Sequence, residues 1–226
     1  MNNDEKRIQI AIDGPAGAGK STVAQIVADK LDYIYVDTGA MYRAITLKAL
    51  KEEVDFKADE ELARLVKDTD ISFKKSENKV KIFLDGADVT DEIRQNKVSN
   101  NVSLLAQNKS IRKELVKLQR EIASQGGVVM DGRDIGTVVL ADAELKIYLT
   151  ASVAERAQRR YDELVKSERN ISLISIKEDI IRRDEMDKNR EISPLQKAED
   201  AIVVDTTNLN IEEVVTEIIN FYQEVE

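Results

Sequence analysis

The chain has 226 residues, of which 42% are hydrophobic and 34% charged, a globular composition for one domain with an inserted lobe or for two small domains. It contains no cysteine and no histidine, which excludes thiol nucleophiles, disulfides, Ser-His-Asp triads and metals held by those residues; any catalysis must use Lys, Arg, Ser, Thr, Tyr, Asp or Glu with a hard cation. A net charge of −9 and 4% aromatics without Trp argue against partners that need broad basic surface or stacked rings: nucleic-acid polymers and acidic membranes.

In chain order, Met1 to Arg7 is polar without a signal-peptide pattern, and no apolar run nears the ~20 residues of a membrane span. With no cysteine to oxidise, a cytoplasmic location is the expectation. Ile8 to Ile12 is a β-branched run ending in Asp13 and Gly14, and predicts a buried strand. A helix is predicted from Lys20 to Leu31, a strand over Tyr33 to Val36 and a helix from Gly39 to Lys51. This β-α-β-α rhythm predicts a P-loop-type α/β core, a parallel sheet flanked by helices. Ile71-Ser72-Phe73 and Val80 to Leu84 then alternate apolar and polar across a polar turn at Lys74 to Asn78, and Asp85-Gly86 is a further turn signal. Local hairpins suit a small antiparallel sheet, so residues 57–101 are assigned to an inserted lobe and 1–56 with 102–226 to the core. Ile111, Leu115, Leu118 and Ile122 form a helical stripe closed by Gly126-Gly127. Strands follow over Val128 to Met130, ending at Asp131, and over Leu145 to Leu149. Ser152 with Glu155, and Ser175 with Glu178, have the spacing of capping boxes. Ala201 to Val204 is the last strand, and a final helix starts near Asn210.

Gly14-Pro15-Ala16-Gly17-Ala18-Gly19-Lys20-Ser21, followed by Thr22, fits G-x-x-x-x-G-K-[ST] between a strand and a helix. The glycines let backbone N–H groups face a diphosphate, and the helix adds its positive end. Lys20 is positioned for the β and γ phosphates of ATP, and the Ser21 hydroxyl for Mg²⁺. The competing reading, a glycine-rich turn that binds nothing, explains neither the Lys-Ser pair nor the flanking elements.

Two classes of P-loop chemistry remain open here: phosphoryl transfer to a small acceptor, or a nucleotide switch or sensor without one. Guanine switches commonly use N-K-x-D; Asn108-Lys109-Ser110-Ile111 lacks the Asp and opens a helix. The arginines favour transfer. Arg43 and Arg133 each follow a strand of the parallel core, on the rim shared with the phosphate loop. Arg156, Arg159, Arg160, Arg169, Arg182, Arg183 and Arg190 crowd the last third. Two phosphorylated substrates account for such cations in an acidic protein, although solvated salt bridges are the alternative for the helical Arg156, Arg159 and Arg160. A phosphate monoester acceptor, with a second pKa of ~6, is already anionic at neutral pH and needs no histidine base. Residues 151–190 are the candidate lid, excluding water that would hydrolyse ATP. Asp37 and Asp131 end strands near the expected Mg²⁺, either holding a metal-bound water or capping a turn.

Four strings carry a family resemblance: the phosphate loop, Val36-Asp37-Thr38-Gly39-Ala40-Met41-Tyr42-Arg43, Asp131-Gly132-Arg133-Asp134-Ile135-Gly136-Thr137, and Arg182-Arg183-Asp184-Glu185-Met186-Asp187-Lys188-Asn189-Arg190. Together they resemble the bacterial cytidylate kinases of the nucleoside monophosphate kinase superfamily, over nearly the whole chain. The resemblance implies ATP and CMP or dCMP as substrates and an inserted monophosphate-binding lobe. It implies Arg43, Arg133 and Arg190 on the acceptor phosphate with Thr38 and Tyr42 nearby, and Lys20, Arg133 and Arg190 at the transferring group. Ser103, Arg112 and Asp134 would read the base, and Arg183 and Asp187 the sugar. Some members have Ser where Thr38 stands. UMP or AMP as acceptor is the nearest alternative, and nothing in the sequence demands more than a monomer.

Overall fold

The computed structural model describes residues 7–76, 79–165 and 172–225. In chain order the elements are β1 (Gln9–Asp13), α1 (Lys20–Leu31), β2 (Ile34–Asp37), α2 (Thr38–Lys51), α3 (Asp59–Lys67), β3 (Ile71–Ser76), β4 (Lys79–Leu84) and β5 (Ala87–Asp88). After a short 3₁₀ turn come α4 (Asn96–Leu105), α5 (Lys109–Ala123), β6 (Val128–Gly132), a π-helical turn at Ile135–Val139, β7 (Leu145–Thr150), α6 (Val153–Leu164), α7 (Leu173–Asn189), β8 (Ile202–Asp205) and α8 (Ile211–Val225). Packing divides the chain into two compact units: one runs through Tyr35 and resumes at Gln125, and the other is Val36–Ser124.

The first unit is built on a five-stranded sheet in the order β2-β6-β1-β7-β8. β1 pairs in parallel with β6 and with β7, so that Ala11 stands between Met130 and Lys146, and β7 pairs in parallel with β8. Central strands of a parallel sheet are covered on both faces, which is why β1 reads as a continuous apolar run. On one face Ile10, Ile12, Ile147 and Leu149 meet Val23 and Val27 of α1 and Val214, Ile218 and Tyr222 of α8. Each such side chain contributes roughly 1.5–3 kcal/mol by leaving water.

In the second unit β3, β4 and β5 form an antiparallel sheet. The β3–β4 register sets Ile71 opposite Leu84; the predicted turn between them falls partly on residues 77–78, which lie outside the described residues. Asp85 and Gly86 both adopt positive φ, 49° and 81°, the two-residue turn whose twist suits a hairpin. β5, which pairs Ala87 with Leu84, is too short to read from alternation. α2 is buried almost all round and packs against α3 and α4, while α3 packs against α5. This compact unit extends beyond the sequence-predicted lobe of 57–101 at both ends, because α2 and α5 pack with its helices.

One further difference is local. α7 starts after Ser172, which makes no side-chain cap, and Ser175 lies inside its first turn, its hydroxyl donating to the Ser172 carbonyl at 2.9 Å. The earlier start adds a turn before Ile176 and Ile180, which pack with Ala157 of α6. Ser103 sits inside α4. Among the described residues, no helix is long and apolar enough to cross a membrane.

Candidate active site

The phosphate loop leaves β1 at Gly14, where φ is 151° and an added Cβ would sit 1.9 Å from the Leu149 carbonyl oxygen. Only glycine lets the loop turn this close to β7. Gly19, at φ 89°, precedes α1 and brings no side-chain cap to its first turn, which also carries no acidic residue. The N–H groups of that turn therefore face outward with the helix's positive end, an anion site. Lys20 lies at its base, donating to the Pro15 carbonyl at 2.8 Å, while Ser21 and Thr22 are exposed.

Asp131, at the end of β6, lies beside this loop. The Ser21 hydroxyl donates to its Oδ2 at 3.0 Å and the Tyr35 hydroxyl to its Oδ1 at 2.9 Å. Asp13, at the end of β1, is buried and accepts from the backbone N–H groups of Ile135 and Gly136 at 2.8 and 2.7 Å. It thereby ties the strand entering the phosphate loop to the segment following Arg133-Asp134. Burial pushes the Asp13 carboxyl up to about 6, with Asp134 adding to the shift and the two N–H groups and Lys20 opposing it. The Lys20 ammonium is pushed down to about 7, by burial first and then by the charge of Arg133, against Asp131, Asp13 and Asp187. An incoming polyphosphate supplies the negative charge that restores it.

The predicted acceptor-side residues of this unit also come together. Arg133 donates to Asp187 at 2.7 Å. Burial works against its charge, but Asp187, Asp131 and Asp184 outweigh it and hold its pKa above the usual value. Arg190, the residue after α7, donates to Asp134 at 3.4 Å and to the Ser193 carbonyl. Arg183 is half-buried on α7. Thus the G-R-D and R-D-x-x-D-x-N-R strings, more than fifty residues apart in the sequence, are joined by two ion pairs, Arg133–Asp187 and Arg190–Asp134.

The arginines of the predicted lid divide by role. Arg156 is 4% exposed, paired with Asp184 of α7 at 2.7 Å and donating to the Ala16 carbonyl of the phosphate loop at 3.0 Å, so it is not one of the solvated surface pairs. Arg159 is bound to Glu155 and to both oxygens of Thr206. Arg160 and Arg182 form exposed pairs with Glu163 and Asp179. Arg169 lies outside the described residues.

In the unit Val36–Ser124, Asp37 accepts from the Ala40 N–H at 2.8 Å and so caps α2. Thr38 is buried in the first turn, and the half-buried Arg43 lies against Gly39. The buried Arg112 guanidinium is 5.6 Å from the centre of the Tyr42 ring and donates to the Ala106 carbonyl. Ser103 is on α4, which packs on α2. Sequence reasoning missed Asp13, Tyr35 and Thr206. Asp13 offered one signal, a carboxylate ending the strand before the loop, but its partners lie 122 and 123 residues away.

Ser21 Oγ and the Asp131 carboxylate suit a hard cation by chemistry, both being oxygen donors. Among the described residues there is no cluster of three or more His, Cys, Asp or Glu positioned for a metal ion. Mg²⁺ is commonly held by one or two protein oxygens plus substrate phosphates.

Comparison with known proteins identifies the family. The family model described as cytidylate kinase matches residues 10–224. The chain is 56% identical over 215 residues to a cytidylate kinase of Bacillus subtilis (strain 168), covering 95% of this chain and 96% of that one. It is 54% identical over 216 residues to a cytidylate kinase of Bacillus cereus (strain ATCC 10987 / NRS 248), covering 96% of each. A solved structure of an uncharacterized protein from Eubacterium ventriosum ATCC 27560 shares the fold, with a TM-score of 0.53 at 12% identity over 97% of this chain and 99% of that one. Matched by the family model over residues 10–224 and by these relatives nearly end to end, the chain is a member of the cytidylate kinase family.

Proposed function

We propose that the protein transfers the γ-phosphoryl group of ATP to CMP or dCMP, giving ADP and CDP or dCDP. The observation that carries the reading is the place of Lys20 and Arg133: Asp13 ties the strand entering the phosphate loop to the segment just after Arg133-Asp134, beside an uncapped helix N-terminus. In a protein of net charge −9, cations so placed serve to bring two anions together. The transition state of such a transfer carries charge on the phosphoryl oxygens and requires little beyond alignment and neutralisation.

In this reading Lys20 and the N–H groups of residues 14–22 hold the ATP phosphates, and Arg43, Arg133 and Arg190 hold the acceptor phosphate. Asp134, with Ser103 and Arg112, reads the base. The cytosine 4-amino group donates to a carboxylate and its N3 accepts from a guanidinium; uracil reverses both polarities and leaves buried groups unmatched, at ~1–3 kcal/mol each. Arg183 and Asp187 contact the sugar, and Thr38 and Tyr42 line the acceptor site. Mg²⁺ would be held by Ser21 with Asp131 behind it, supplying charge neutralisation between the β and γ phosphates. The acceptor needs no proton removed, consistent with a site built without histidine.

A coupled assay of ADP release with each nucleoside monophosphate in turn tests the reading. CMP and dCMP should give the highest kcat/KM. Faster turnover with UMP or AMP would reassign the acceptor, and turnover independent of any acceptor would make the protein a nucleotide-binding ATPase or sensor.

A further inference from the structure

The carboxylate behind the phosphate loop is held from two sides. Ser21, in the first turn of α1, donates to Oδ2 of Asp131, and Tyr35, on β2, donates to Oδ1. Asp131 is 3% exposed. Tyr35 is partly buried, with its ring packed against the core formed by the sheet, α1 and α8. Donors on opposite oxygens fix both the place and the rotation of a carboxylate plane. That rotation matters to Ser21. A hydroxyl has one proton and two lone pairs; with the proton directed to Asp131, the lone pairs are what Oγ presents on its other side. A hard cation binds those lone pairs and is repelled by a hydroxyl proton turned toward it.

We propose that Tyr35 is a positioning residue for the Mg²⁺ that accompanies ATP. It fixes Asp131, Asp131 fixes the Ser21 hydroxyl, and the affinity for metal-bound ATP depends on this chain of contacts. The proposal rests on the assignment of Mg²⁺ to Ser21 given above. Tyr35 touches neither substrate nor metal in it. Outer partners of metal sites commonly change metal affinity by about 10–100-fold when removed. Tyr35 stands one contact further out, so about a three- to tenfold effect is expected for its hydroxyl.

The test is Tyr35→Phe, which keeps the ring and its packing and removes only the donor. ATP binding is measured by calorimetry in Mg²⁺ and in EDTA, beside a thermal melt and the Mg²⁺ dependence of turnover. The expected result is a three- to tenfold higher Kd for ATP in Mg²⁺, an unchanged Kd in EDTA, more Mg²⁺ needed for half-maximal rate, and an unchanged KM for CMP. In a Ser21→Ala background the same change should have no further effect on the metal-dependent part of binding. Equal weakening in Mg²⁺ and EDTA, no weakening in either, or full additivity with Ser21→Ala would each overturn the proposal and leave Tyr35 a structural brace. Should the wild-type protein bind ATP equally in Mg²⁺ and EDTA, the metal assignment itself fails and the proposal with it, while CMP-dependent turnover would still uphold the kinase reading.

Discussion

Arg133 and Asp134 are adjacent in sequence and differ in what their loss should do. Arg133 is held by Asp187 and, in the proposed reaction, neutralises charge that builds during transfer. Arg133→Ala should lower kcat about 10³-fold while ATP binding measured by calorimetry persists; wild-type turnover would remove Arg133 from the site. Asp134→Ala should reduce the preference for CMP over UMP by about 10–100-fold in kcat/KM, and an unchanged preference would place base recognition elsewhere. Asp13 carries a pH signature. Its carboxyl is raised in the fold to about 6, burial being the main cause, from an ordinary 3.8. Between those values the folded protein holds a proton that the unfolded chain has released. The stabilising contribution is therefore complete below about pH 4 and lost as pH rises through 6. Asp13→Asn removes this dependence. The stability difference between variant and wild type, from urea midpoints, should shift by about 1 kcal/mol between pH 5 and pH 7, in favour of the variant at the higher pH. A difference constant with pH would show that Asp13 does not titrate there.

At the scale of elements, α6 and α7 are joined by a small apolar contact of Ala157, Ile176 and Ile180 and by the buried Arg156–Asp184 pair. Asp184 Oδ1 is buried without a hydrogen-bond partner, so the carboxylate depends heavily on Arg156. Arg156→Met should destabilise by about 3 kcal/mol because it removes the direct partner of the buried Asp184 charge, leaving only the longer-range field of Arg133 to oppose it. Adding Asp184→Leu should recover much of that loss in chemical denaturation; no recovery would mean that the Ala16 contact, not the ion pair, is what Arg156 contributes. Helices with strong local signals were legible: α1 runs Lys20–Leu31 as its spacing predicts, and Ser152 caps α6 by accepting from the Glu155 N–H. α3 and α4 were not assigned. The Leu62, Leu65 and Val66 stripe of α3 becomes decisive only against α5, more than forty residues later. Ser175 imitates a cap, but its hydroxyl donates to the Ser172 carbonyl from within the first turn of a helix that has already begun.

At the scale of the molecule, protection should follow burial. β1, β6 and β7 lie inside the main sheet with almost every residue buried, whereas α6 and α7 present exposed Ile174, Ile181 and Val165 over a small core of their own. Amide exchange should be slowest in the three strands and faster in α6–α7, which opens locally without global unfolding. Equal protection across all of them, by exchange mass spectrometry, would refute this. The sequence alone determined the phosphate loop, the strand–helix alternation of the core and the antiparallel hairpin, because each is carried by local pattern, and it offered the cations proposed for the site. Tertiary structure decided which partners those cations take: Arg133 with Asp187, Arg190 with Asp134, Arg156 with Asp184 and a loop carbonyl, and Asp131 between Ser21 and Tyr35. A charge buried in low dielectric must be matched by whatever the fold brings within a few ångströms, and for several of these residues that partner lies dozens of positions away along the chain.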